Sequence, residues 1–158
     1  MIIDNLGPLA VAARLQRLAD TIRRDGVVVY KDHGIDFEPK WFPVVYVLYE
    51  KGPTSVVDLA AEVGIAHPSV IQLVKELETK KLVRSTADKK DGRKRLLSLT
   101  PAAVKLVKKM EPVWKKIRKA VEEMTATENN LMKAMMETEE RLKQENFHSR
   151  VMRQKTTK

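Results

Sequence analysis

A chain of 158 residues and 18.0 kDa is long enough for one domain with a real core, and 43% hydrophobic with 32% charged residues reads as globular. The absence of cysteine excludes a disulfide scaffold, a thiolate metal site and a cysteine nucleophile. A net charge of +9, from 30 Lys+Arg against 21 Asp+Glu, points to a polyanionic partner, either nucleic acid or an anionic membrane surface.

No apolar run approaches bilayer-spanning length. Met1 to Leu6 carries Asp4 and no basic residue, unlike a signal peptide, so a cytoplasmic location is the default expectation. Val11, Leu15, Leu18 and Ile22 recur at helical spacing after Pro8, which predicts a first helix from about Pro8 to about Lys31, ending before Gly34. A second helix runs from near Pro39 to Lys51, where Gly52-Pro53 stops it. Ser55 and Asp58 form a capping-box pattern ahead of a short helix that carries Val56, Leu59, Ala60 and Val63 on one face and stops at Gly64.

The next helix, about His67 to Lys80, has the stripe Val70, Leu73, Val74 and Leu77. Leu82 and Val83 begin a strand, Asp88 to Arg93 is a turn, and Leu96 to Leu99 is the returning strand. Thr100-Pro101 opens a long helix as cap and first residue, with Leu106, Met110, Val113, Ile117, Val121 and Met124 as its stripe. Pro112 inside it predicts a kink or a restart. Thr125 and Glu128 read as a second capping box before a last helix marked by Leu131, Met135 and Leu142.

The charge is uneven along this order. Residues 1–74 hold 7 basic and 9 acidic side chains, residues 75–95 hold 9 and 4, and residues 101–119 hold 7 and 1. Two short helices joined by a tight turn and followed by a basic hairpin make a winged helix-turn-helix. Its second helix enters the major groove by its N-terminal half, where base edges carry a distinct donor and acceptor pattern. His67 lies at the start of that helix, and with the stripe turned inward Pro68, Ser69, Ile71, Gln72 and Lys75 face the DNA. Gln72 suits a two-point contact to adenine, Ser69 a base edge or phosphate, Ile71 a thymine methyl and Lys75 a phosphate. The hairpin tip, with Lys89, Lys90, Arg93, Lys94 and Arg95, lies against the backbone or in the minor groove.

From about Leu6 to about Leu142 the sequence resembles the MarR family of bacterial transcription regulators. The firmest part is Asp88-Lys89-Lys90-Asp91-Gly92-Arg93 followed by Leu97-Ser98-Leu99-Thr100, against a family pattern of Asp-x-Arg-Asp-x-Arg and a strand ending in Leu-Thr. Lys90 replaces an arginine, which keeps the charge and loses the planar fork. Ala66 stands where relatives often carry a capping Ser, and alanine cannot cap, so the helix starts loosely or Ser69 compensates.

The resemblance implies a mainly α fold with a small β-hairpin wing, as a single domain over 1–158. The winged helix-turn-helix lobe would cover 39–99 with its wing at 84–99, flanked by dimerisation helices at 8–32 and 101–152. It implies a homodimer that places two recognition helices roughly 34–36 Å apart on palindromic double-stranded DNA. It also implies a small aromatic or acidic effector, for which Arg14, Arg17, Trp41 and Tyr46 are the candidate contacts.

Six of the eight aromatics fall between Tyr30 and Tyr49, and ordinary core packing accounts for most of them. His33, His67 and His148 are far apart, so no metal is expected. Neither a phosphate loop nor a nucleophile with its base appears, so no cofactor and no enzyme activity are expected. The competing reading is a winged-helix protein-interaction module that does not bind DNA specifically; Gln72, Lys75 and Arg93 argue against it. Membrane adhesion ranks last, because the basic residues of 105–119 wrap around their helix instead of forming one lipid-facing edge.

Overall fold

The computed structural model describes residues 1–89, 91–92 and 94–155. The elements in order are α1 (Val11–Asp32), α2 (Phe42–Lys51), β1 (Thr54–Ser55), α3 (Val56–Val63), α4 (His67–Thr79), β2 (Val83–Ala87), β3 (Arg95–Leu99), α5 (Pro101–Thr125), α6 (Leu131–Gln144) and α7 (Phe147–Met152). Short 3-10 segments at Ile2–Ala10 and Pro39–Trp41 precede α1 and α2. The chain divides into two compact units, Met1–Val113 and Trp114–Lys158.

In the first unit, α1 starts three residues later than Pro8, because Gly7 takes a positive φ of 56° and the backbone ahead of Val11 is 3-10. Near the end of α1, Gly26 lies under the Pro39 ring, where an added Cβ would sit 3.0 Å from Pro39 Cγ. That close approach seats the segment ahead of α2 on α1. Tyr30, Ile35, Phe37 and Trp41 are buried there, with Tyr30–Phe37 and Phe37–Trp41 edge-to-face at 5.2 and 5.7 Å. Val44, Val45 and Leu48 of α2, Leu59 of α3, Val70, Val74 and Leu77 of α4, and Val107 and Met110 of α5 complete the core.

The capping box before α3 forms: Ser55 Oγ accepts from the Asp58 amide at 3.2 Å. Gly64 then takes the left-handed conformation that ends α3 (φ 73°), and the chain bends by 109° into α4. The hairpin acquires a third strand that the sequence pattern does not reveal. The antiparallel order is β1-β3-β2, with Thr54 opposite Leu97 and Val83 opposite Leu99. Thr100 caps α5 through the Ala103 amide at 3.2 Å and donates its hydroxyl to the Lys81 carbonyl at 2.8 Å, which ties the end of the wing to the end of α4.

Helix α5 runs unbroken through Pro112, so the restart expected there does not occur. In the second unit the expected Thr125–Glu128 box does not form either. Thr125 is the last residue of α5 and donates its hydroxyl back to the Val121 carbonyl at 2.8 Å. Asn130 caps α6 instead, accepting from the Lys133 amide at 3.1 Å, and Asn146 caps the additional helix α7 through Ser149 at 2.9 Å. Among the described residues no single helix is long and apolar enough to cross a membrane.

Candidate nucleic-acid interface

Helix α4 is sorted by its own periodicity. Val70, Val74 and Leu77 are buried, while His67, Pro68, Ser69, Gln72 and Lys75 are exposed and Ile71 is half-buried. The exposed face therefore presents an amide, a hydroxyl and an ammonium, with Ile71 at its margin. Ala66 supplies no side-chain cap, and the first turn is closed by backbone bonds from Ser69 and Val70 to the Ala66 carbonyl at 2.9 and 3.2 Å.

The wing carries Lys89, Lys94 and Arg95 as exposed side chains. Lys90 and Arg93, the two other tip residues singled out from the sequence, lie outside the described residues. Arg95 lies back across the hairpin. Its Nε donates to Ser85 Oγ at 3.0 Å and its Nη2 to the Ser85 carbonyl at 2.9 Å, so it braces β2 against β3. Arg84 does the same from the other strand, with Nε donating to Ser98 Oγ at 3.3 Å.

A polar cluster on the flank of α4 escaped the sequence reading. Glu76 Oε2 accepts from the Trp41 indole Nε1–H at 2.8 Å and pairs with Lys40 Nζ at 2.7 Å. Those two bonds, Lys40 first, hold the Glu76 carboxyl below the usual glutamate range and keep it ionised at neutral pH. One turn on, Lys80 Nζ lies 5.9 Å from the centre of the Trp41 ring and pairs with Asp36 at 3.2 Å. No periodic pattern marks these residues, and Glu76 is one of two carboxylates, with Glu78, in the last turns of α4.

The four effector candidates do not converge. Arg14 and Arg17 line a cleft of about 630 Å³ between the N-terminal 3-10 segment and α1, with Val11, Leu15 and Leu18. Arg17 is ion-paired there with Asp4, and Arg14 Nε lies 3.9 Å from the same carboxylate. Trp41 is buried with its indole N–H committed to Glu76, and Tyr46 stacks on Phe42 at 5.3 Å; neither lines that cleft. Among the described residues no group of His, Asp or Glu is placed to hold a metal ion.

The family model described as MarR family matches residues 33–94, the span from just after α1 to just before β3. Among curated proteins no significant match exists. Among solved structures, a MarR/EmrR family transcriptional regulator from Acinetobacter sp. ADP1 is similar with a TM-score of 0.69 and 19% identity, over 85% of this chain and 95% of that one. MepR of S. aureus, solved in complex with DNA, is similar with a TM-score of 0.66 and 20% identity, over 81% and 94%. BpsR of Bordetella bronchiseptica, whose DNA binding is regulated by 6-hydroxynicotinic acid, is similar with a TM-score of 0.58 and 22% identity, over 82% and 98%. The mainly α winged helix fold expected from the resemblance is the fold these proteins share.

Proposed function

Because residues 33–94 match the MarR family of transcription regulators, we propose that this chain is a dimeric, sequence-specific DNA-binding regulator and no enzyme. On this reading it represses from a palindromic operator in the cytoplasm and is relieved by a small aromatic or acidic effector. The observation that carries it is the sorting of α4. Pro68, Ser69, Gln72 and Lys75 stand outward over a buried Val70, Val74 and Leu77, on a helix turned 109° from its bracing helix. A helix presented this way fits the major groove by its N-terminal half. The wing adds cations beside it, with Lys89 and Lys94 exposed and Arg95 stiffening the hairpin.

The dimer is supported by apolar surface that neither unit covers on its own. Leu15, Leu18 and Ile22 of α1 are exposed, as are Met135, Met136 and Leu142 of α6. Support for the effector comes from a structural neighbour, BpsR, and from the two arginines beside an apolar cleft.

Selection of bound duplexes from a random library tests the reading. A palindromic consensus, bound with an affinity that falls steeply as salt rises, is the expected result. Recovery of no consensus would favour the protein-interaction module.

A further inference from the structure

The geometry points to Glu76 and Trp41 as positioning residues that fix the rotational setting of the recognition helix, and so the sequence specificity of DNA binding. This inference rests on the DNA-binding reading above. Helix α4 is seated by Val70, Val74 and Leu77, whose apolar contacts carry no preferred direction of their own. The contact from Glu76 is directional. A single oxygen, Oε2, takes the Trp41 indole N–H at 2.8 Å and the Lys40 ammonium at 2.7 Å.

The other side of that contact is firm. Trp41 is buried, its ring held edge-on by Phe37, which is held in turn by Tyr30 near the end of α1. Lys80, one turn beyond Glu76, adds a second hold through the Trp41 face and Asp36. Glu76 also lies one turn after Gln72, on the flank of α4 between its buried and outward faces.

The consequence follows from helix dimensions. Side-chain tips ride about 5–6 Å from the axis, so a rotation of about 20° shifts them by about 2 Å. That displacement exceeds the distance tolerance of a hydrogen bond to a base edge. Phosphate contacts through flexible lysines survive it, because they depend on charge more than on angle. Loosening the clamp should therefore cost discrimination between sequences more than affinity for DNA in general.

Glu76→Gln and Trp41→Phe test this. The first keeps an acceptor and loses the charge; the second keeps a ring in the core and loses the N–H. Binding to the library-selected duplex and to a scrambled duplex is measured by fluorescence anisotropy at one salt concentration. Each variant should lower the selected-to-scrambled affinity ratio by about five- to tenfold, and the double variant should be no worse than either single one. A purely structural role would lower the melting temperature and leave the ratio unchanged.

An unchanged ratio in folded Trp41→Phe, with the wild type discriminating, overturns the inference even if Glu76→Gln fails to fold. If the wild type itself shows no preference, the DNA-binding reading fails and the clamp is judged separately. In a Trp114→Phe background Trp41 is the one remaining tryptophan, so excitation at the red edge of the indole band, beyond tyrosine absorption, reads it alone, and Glu76→Gln should raise its quenching by acrylamide. Unchanged quenching there overturns the clamp.

Discussion

At the scale of single residues, the outward face of α4 mixes two kinds of chemistry that one experiment separates. Gln72 carries an amide whose donor and acceptor can pair with a base edge, whereas Lys75 carries a point charge on a flexible stem. Gln72→Ala should weaken binding to the selected duplex by about 1–3 kcal/mol and relax preference at one base pair. Lys75→Ala should weaken selected and scrambled duplexes alike and reduce the salt slope by about one ion. Anisotropy titrations across a salt series distinguish the two. Equal effects of both variants on selected and scrambled duplexes would remove Gln72 from the base-reading role. Glu76 shows why such residues need the fold to be understood. It stands 35 positions from the indole that it anchors, and nothing in the spacing of either residue announces the pair.

At the scale of elements, a helix is legible when its apolar stripe is regular, and α3 and α4 begin and end within a residue of their sequence signals. The bounds of α3 are local: Ser55 caps its start and Gly64 turns left-handed at its end. Features that depend on distant partners were not legible. The two residues of β1 become a strand only because Leu96 and Leu97 are there to pair with them. Competition between neighbouring caps was equally hidden. Thr125 and Asn130 are both good caps, and the choice fell to Asn130 because α5 continues its turn until the Thr125 hydroxyl is spent on Val121.

The turn from α4 to β2 offers a test of local geometry. Lys81 takes a positive φ of 58°, with its amide bonded to the Glu78 carbonyl and the Leu82 amide bonded to Leu77, both at 2.9 Å. That is a Schellman cap with lysine where glycine is usual. Left-handed backbone costs an L-residue about 1–2 kcal/mol, part of which glycine returns through the entropy of the unfolded chain. Lys81→Gly should thus stabilise the protein by up to about 1 kcal/mol and raise its melting temperature by about 2–4 °C. A fall in melting temperature would contradict the left-handed turn.

At the scale of the whole molecule, the two units share one property, an apolar surface larger than their own cores can use. In the first unit, α1 buries only Tyr30 fully and exposes Val11, Leu15, Leu18 and Ile22, the very stripe that marks it as amphipathic. In the second, no residue of α6 or α7 is fully buried, and Met136, Phe147 and Met152 are each about two-thirds exposed. Apolar area of this kind costs roughly 25 cal/mol per Å² while it faces water, so a second copy that covers it is strongly favoured. Light scattering should therefore give twice the chain mass of 18.0 kDa at micromolar concentration.

Leu18→Glu places a charge in the exposed stripe of α1 and should shift the protein to monomer. The same variant should lose most of its affinity for a full palindrome while its affinity for an isolated half-site is kept, because α4 and the wing of each copy are untouched. A wild-type monomer would leave the stripe unexplained and remove the two-fold readout. A Leu18→Glu dimer that still binds the palindrome would place the interface elsewhere.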